Sequence, residues 1–340
     1  MAILDYLEQV IPDEIKLTSK GDQYHCNCPF CDDTRKRFYV SLETDQVYCH
    51  NCGQENKAAN GSFISFIMGI EGIEYDAAFK RYKEIKGSMF IPDNVLLELK
   101  ENIFKPDVSN LVSSRAIPLP DEYTPLELDS PNLVNIRAIN YLLRRKISWK
   151  QMQFHHMGFC VSGEYQNRVI IPITEGDQLK FWVARAIGDG VKLKEKSPPN
   201  APYQISKSQV IFNIYDASRI YGAAVLAEGV FDALSFGGIG CSLLGKALYD
   251  DQLAILLDYY SRGMLPEGVY IALDHDARSQ ATDLAEALYK YMPVHLVNIP
   301  KKYDDPNKFV QKLGKRELIR LVEDAPEYDE AYRFQRKLFG

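Results

Sequence analysis

Glu228, Asp274 and Asp276 are the residues of this chain best placed to do chemistry. Each follows a short apolar run: Val225-Leu226-Ala227 before Glu228, and Val269-Tyr270-Ile271-Ala272-Leu273 before Asp274-His275-Asp276. Apolar runs of this length bounded by turn residues read as strands. Gly229 then reads as the point where the chain turns sharply after the first strand. In open α/β sheets, ligands bind outside the carboxyl ends of the strands. The three carboxylates are therefore expected to converge on one patch. Crowded carboxylates repel unless a hard cation neutralises them, and Mg²⁺ is the usual one.

Cysteines supply the second chemistry. Cys28-Pro29-Phe30-Cys31 is followed, after seventeen residues, by Cys49-His50-Asn51-Cys52. Two Cys-x-x-Cys pairs at this spacing point to one tetrahedral Zn²⁺ held by four thiolates. Cys26 and His25 adjoin the first pair and are alternative ligands, ranked lower because only Cys28 gives the two-residue gap. His50 lies inside the second knuckle and is expected to be exposed. Arg37 to Leu42 and Gln46 to Tyr48 alternate as a β-hairpin does. Cys160 and Cys241 read as buried core thiols.

The acidic motif resembles the Toprim fold of bacterial-type primases, topoisomerases and some nucleases. The match rests on Ala227-Glu228-Gly229 with Asp232, then Leu273-Asp274-His275-Asp276. By itself it implies Mg²⁺-dependent phosphoryl chemistry and no particular enzyme. The cysteine segment is similar to the zinc ribbon of bacterial and phage replicative primases. There a Cys-Pro-Phe knuckle, a Phe-x-Val strand, a Cys-x-x-Cys-Gly knuckle and a Gly-x-Phe-Ile-x-Phe helix follow one another; here the helix signature is Gly61-Ser62-Phe63-Ile64-Ser65-Phe66. One departure is Cys31, where the family often has Cys-Pro-x-His; Cys31 matches phage-type versions. The resemblance implies that this module reads the template, with Arg35, Lys36, Arg37 and Tyr39 as candidate contacts. A basic run with neighbouring aromatics suits single-stranded DNA.

The expected fold class is α/β: an N-terminal four-cysteine zinc ribbon, then a primase core with a Toprim domain. A length of 340 residues fits about two or three domains. Residues 1–86 are read as the zinc-binding domain and 87–125 as a proline-rich linker with one packed helix near Val95–Ile103. Residues 126–212 form a basic subdomain, 213–310 the Toprim domain and 311–340 a helical tail. Residues 131–212 carry twelve Lys/Arg against five Asp/Glu, and 213–300 carry five against eleven. A basic block beside an acidic one suits a polynucleotide groove next to a metal cluster. No apolar run reaches about 18 residues, so no membrane span is expected. The N-terminus lacks a signal peptide pattern, which together with the paired cysteines points to a reducing compartment, the cytoplasm, that of a bacterial host if the chain is phage-encoded.

The basic block contains Tyr141-Leu142-Leu143-Arg144-Arg145, then a strand opening at Arg168 and another closing at Arg185. Primase cores place similar segments there, and the resemblance makes Arg168 and Arg185 candidates for template or triphosphate. Guanidinium forks suit phosphate oxygens. Asn200-Ala201-Pro202-Tyr203 stands where the family often has Pro-Lys-Tyr-x-Asn. Its lysine is absent, with Lys192, Lys194, Lys196 or Lys207 as possible substitutes. Gly240 to Lys246 satisfies Gly-x-x-x-x-Gly-Lys, but Ala247 follows where a P-loop needs Ser or Thr. Lys246 is kept as a phosphate contact. Asp305, before Pro306, matches a further acid of the family, with Asp304 as its substitute.

Together these residues are expected to make a DNA primase, a DNA-directed RNA polymerase that makes short RNA primers from ribonucleoside triphosphates on single-stranded DNA. Glu228, Asp232, Asp274, Asp276 and Asp305 would be catalytic, with Mg²⁺ or Mn²⁺ held by Glu228, Asp274 and Asp276. A hexameric replicative helicase is the partner the family implies. The absence of a following helicase-binding domain suggests a phage-type enzyme. The alternative is a Toprim and zinc protein of recombination or repair that binds DNA without making primers.

Overall fold

A computed structural model describes residues 3–102, 117–176, 178–188, 191–199 and 204–333. Asn200-Ala201-Pro202-Tyr203 lies outside the described residues. The chain divides into two compact units, residues 1–105 and 106–340.

The first unit opens with helix α1 (Ile3–Val10) and builds an antiparallel sheet in sequence order from β1 (Lys16–Leu17), β2 (Gln23–Cys26), β3 (Phe38–Ser41), β4 (Gln46–Cys49) and β5 (Asn60–Ser62). Strand alternation drives it: Phe38, Val40, Val47 and Cys49 point inward while Tyr39, Gln46 and Tyr48 point outward. Helices α2 (Phe63–Glu71) and α3 (Tyr75–Lys86) follow. Ser62 caps α2 by accepting from Ser65 N–H, and Gly72 ends it in the left-handed region at φ 67°. Phe66 packs its ring 5.4 Å from Phe38, 5.5 Å from Phe63 and 5.8 Å from Phe30. Burying such a ring contributes roughly 1.5–3 kcal/mol. Asp45, in the hairpin turn, is fully buried. It takes Lys86 Nζ at 2.8 Å and the Tyr82 hydroxyl, fastening α3 to the hairpin. Helix α4 (Asp93–Asn102) belongs to this unit: Asn94 donates to Thr44 O at 2.8 Å, and Ser62 Oγ donates to Glu98 at 2.8 Å.

The second unit starts with β6 (Tyr123–Pro125), α5 (Leu133–Arg144), α6 (Trp149–Phe154), β7 (Gly158–Cys160), β8 (Arg168–Glu175), β9 (Gln178–Ala186) and β10 (Glu195–Lys196). The strands form an antiparallel sheet in the order β10-β9-β8-β7-β6. Helix α7 (Ile214–Tyr221) leads into β11 (Ala224–Ala227), α8 (Val230–Ser235), β12 (Gly240–Ser242), α9 (Asp250–Ser261), β13 (Val269–Ile271), α10 (Arg278–Leu288) and β14 (Val294–Leu296). These four strands are parallel, ordered β12-β11-β13-β14. Parallel strands joined by helices need both faces covered; Leu226, Ile271, Leu256 and Leu284 fill one buried cluster between them. Helices α11 (Pro306–Leu313) and α12 (Lys315–Glu323) close the described fold. Gly240 already lies in β12 and Lys246 stands in the loop before α9, so the glycine-lysine motif does not open a helix as a P-loop does.

Candidate zinc and acid sites

In the first unit the Sγ atoms of Cys28, Cys31, Cys49 and Cys52 all lie within 4.8 Å of one another. Cys28 and Cys52 are 3.7 Å apart, and Cys31 and Cys49 are 3.9 Å apart. A tetrahedron with Zn–S bonds near 2.3 Å has edges of about 3.8 Å. Backbone and side-chain N–H groups face three of the sulfurs. Phe30 N–H donates to Cys28 at 3.5 Å, Asn51 N–H to Cys49 at 3.3 Å and Asn51 Nδ2 to Cys31 at 3.3 Å. Such donors favour thiolate over thiol and orient the ligands. Cys26 is not among the four. It is fully buried on β2, and burial, then the Asp13 charge, push its thiol up to about 12. His25 stacks on Tyr39 at 5.7 Å, and His50 is exposed against Tyr48.

The proposed template contacts have distinct environments. Arg37 is tied to buried Asp33 at 2.8 Å and to Asn51 at 2.9 Å, so it braces the knuckle. Asp33 and Asn51 escaped the sequence reading because their partners lie on other turns of the same module. Lys36 pairs with Glu14 at 2.6 Å, Arg35 is exposed and Tyr39 is half-buried.

In the second unit β11 and β13 are adjacent, with Leu226 opposite Ile271. Glu228 leaves β11 directly. Its carbonyl accepts from Gly245 N–H at 3.0 Å and Ser242 Oγ at 2.9 Å, so the end of β12 fixes it. Gly229 lies where the chain passes from β11 into α8. Its φ is −111°, and what favours glycine is space: a Cβ there would stand 3.1 Å from an Asp232 carboxylate oxygen. Asp274 follows β13, and its carbonyl accepts from Ala277 N–H at 2.9 Å. Asp305 caps α11 by accepting from Lys308 N–H at 2.7 Å, with Pro306 in the first turn. Asp304 is exposed and paired with Lys308 at 2.9 Å.

The acids act on one another. Burial, then the Asp274 and Asp305 charges, push Asp232 up to about 7, with the Asn307 backbone N–H opposing. Burial, then Glu228, Asp305 and Asp276, push Asp274 up to about 6. Glu228 is raised by burial and by Asp276, against Lys246. One oxygen each of Glu228 and Asp274 is buried without a hydrogen-bond partner. Lys246 Nζ supplies the local positive charge, 2.9 Å from Asp276 and 3.7 Å from Glu228. Among the described residues only the four cysteines crowd closely enough to share an ion as they stand; no three carboxylates do. The buried oxygens without hydrogen bonds and the mutually raised acids nonetheless match an oxygen-ligated divalent cation in chemistry.

Arg168 is 6% exposed and turned inward. Its guanidinium donates to the carbonyls of Leu193 at 2.8 Å, Ala184 at 3.2 Å and Lys194 at 3.3 Å. The structure uses it as a clamp on β9 and the segment beside it. Arg185 lies 5.4 Å over the Phe231 ring and 3.6 Å from Glu195. Phe231 also receives Arg145 at 4.8 Å.

Comparison with known proteins agrees with both units. The CHC2 zinc finger family model matches residues 4–92, and the Toprim-like model matches residues 225–310. The DNA primase of Aquifex aeolicus is 28% identical over 351 residues, spanning 94% of this chain and 67% of the relative. That of Thermotoga maritima is 25% identical over 358 residues, spanning 94% and 60%. The crystal structure of the Aquifex aeolicus primase zinc-binding and RNA polymerase domains has a TM-score of 0.50 at 22% identity, covering 96% of this chain and 84% of that one. A DnaG primase catalytic domain bound to single-stranded DNA also has a TM-score of 0.50, at 17% identity, over 68% and 79%. A zinc finger of four cysteines with a parallel Toprim sheet defines the class as a zinc-finger Toprim protein. Within that class the chain is similar to the DnaG-type DNA primases. It spans 60–67% of the length of the two relatives named. Those relatives are bacterial and do not bear out the phage-type expectation. Among the described residues no helix is long and apolar enough to cross a membrane.

Proposed function

We propose that this chain synthesises short RNA primers on single-stranded DNA by divalent-cation-dependent nucleotidyl transfer. The observation that carries the proposal is the pair Glu228 and Asp274, at the ends of adjacent parallel strands, each with one buried oxygen that makes no hydrogen bond, that of Glu228 facing Lys246 Nζ at 3.7 Å. In the reaction the primer 3′-oxygen bonds to the α-phosphorus of a ribonucleoside triphosphate, and the bond to pyrophosphate breaks. Asp274 and Asp276 would hold Mg²⁺ or Mn²⁺, with Asp305 as a further ligand. Such a cation supplies charge neutralisation for the attacking and leaving oxygens. Glu228, raised above an ordinary carboxyl, accepts the proton of the 3′-hydroxyl. Asp232 supports the cluster from beneath. Lys246 and Arg185 hold triphosphate oxygens, Lys246 exchanging Asp276 for phosphate. Arg35, Lys36 and Tyr39 contact template at the zinc unit, with Arg37 bracing them.

The test is to incubate the zinc-loaded chain with single-stranded DNA of varied sequence, labelled ribonucleotides and Mg²⁺. Short RNA that depends on template and on Mg²⁺ supports the proposal. DNA binding with no RNA product, with or without an added helicase, replaces it with the recombination or repair reading. A hexameric replicative helicase as partner is part of the proposal; failure to co-sediment with one on forked DNA removes it.

A further inference from the structure

One buried amide ties the acid cluster to the arginine-bearing end of α5. Asn307 is 3% exposed and sits two residues after Asp305, in the first turn of α11. Its Nδ2 donates to Arg145 O at 3.0 Å and to Ser235 Oγ at 3.0 Å. Its Oδ1 accepts from Arg145 Nη1 at 3.3 Å and Gln311 Nε2 at 2.8 Å. An amide offers two donors and two acceptor sites, and all four are used. The backbone N–H of the same residue also acts on the Asp232 carboxylate, favouring its charged form.

The partners matter as much as the count. Ser235 belongs to α8, the helix that carries Asp232, and its own hydroxyl donates to Phe231 O at 2.9 Å. Arg145 ends α5 and lays its guanidinium over Phe231 at 4.8 Å and Tyr141 at 5.1 Å. Phe231 therefore takes both Arg145 and Arg185 against its ring and immediately precedes Asp232. The hydrogen bonds of Asn307 thus reach the end of α5, α8 and α11 together. Ligand sites need their side chains held within about 0.5 Å by surrounding hydrogen bonds.

We propose that Asn307 is a positioning residue, which sets Asp232 and Asp305 for cation binding by locking α8 and the head of α11 to Arg145. The inference rests on the reading of the acid cluster as the divalent-cation site. Mn²⁺ is the probe, titrated into the full-length zinc-loaded protein and followed by electron paramagnetic resonance of the free ion. Melting is recorded in parallel. Asp274→Asn provides the reference, and its Mn²⁺ affinity falls if the cluster is the site. Equal binding by the unmodified protein and Asp274→Asn overturns the site and the proposal with it. With the site established, Asn307→Ala is expected to weaken Mn²⁺ binding by about tenfold or more, well below its melting temperature. A lowered melting temperature with unchanged Mn²⁺ affinity gives Asn307 a purely structural role and overturns the proposal. If Asn307→Ala does not fold, Ser235→Ala decides. It removes one of the two acceptors of Nδ2 and is expected to weaken Mn²⁺ binding less but in the same direction; native affinity in that variant is the contrary result.

Discussion

Glu228 and Asp274 stand at the ends of neighbouring parallel strands, and each keeps one carboxylate oxygen buried with no hydrogen-bond partner. A fold tolerates such a pair at a cost in stability, because each charge loses water and faces the other. Asp274→Asn removes one charge without changing shape. The metal-free variant is expected to melt higher by about 2–4 °C, the shift that about 1 kcal/mol produces in a unit of this size. The same variant is expected to lose primer synthesis. Calorimetry and the primer assay on one preparation check both halves.

Zinc content should separate the seven cysteines. Cys28→Ser, Cys31→Ser, Cys49→Ser and Cys52→Ser are each expected to lose the one bound Zn²⁺, with loss of order in the first unit, since structural zinc contributes directly to folding. Cys26→Ala is expected to keep one Zn²⁺ per chain, its cost confined to packing. Metal analysis after gel filtration is the measurement.

Lys86 and Asp45 form a buried ion pair in the first unit, with side chains 9% and 0% exposed. Lys86→Ala leaves the Asp45 charge against the Tyr82 hydroxyl with its cation gone. A buried charge stripped of its partner costs about 3–5 kcal/mol. Denaturant unfolding of the zinc-loaded protein should show a loss of that order, and a loss below about 1 kcal/mol would place Asp45 in water.

Arg168 and Arg185 are expected to respond differently. Arg168→Met leaves the Ala184, Leu193 and Lys194 carbonyls without that donor, and each such loss costs about 1–3 kcal/mol. Its signature is lowered stability. Arg185→Lys keeps the charge beside Glu195 but loses the fork, so melting should stay near native. KM for the triphosphate is expected to rise about tenfold, the equivalent of one charged hydrogen bond. Thermal melts alongside steady-state kinetics distinguish the two.

What was legible in the sequence was local. The cysteine spacing picks out the zinc ligands because a knuckle closes over a two-residue gap, which Cys28 supplies and Cys26 does not. The apolar runs before Glu228 and Asp274 mark the strand ends because strand length and polarity are short-range properties. The helices near residues 74–86 and 282–291 and the strands near 167–173 and 179–186 were readable for the same reason, with ends displaced by a few residues. What was not legible depends on distant partners. Asn307 meets Arg145 across 162 residues, and Lys86 meets Asp45 across 41. Arg168 was readable as the opening of a strand and a candidate phosphate contact, but its partners, the carbonyls of Ala184, Leu193 and Lys194, lie 16 to 26 residues further on. Gly229 was recognisable as a special position, but the reason is the approach of Asp232, which only packing reveals.

The most direct test of the account is primer synthesis by the full chain and by its Glu228→Gln variant, on the same single-stranded template with saturating Mg²⁺ and Zn²⁺-loaded protein. The account predicts short RNA from the native chain and none from the variant, with both binding template equally. Equal product from the two would contradict it and place the chemistry away from the ends of β11 and β13.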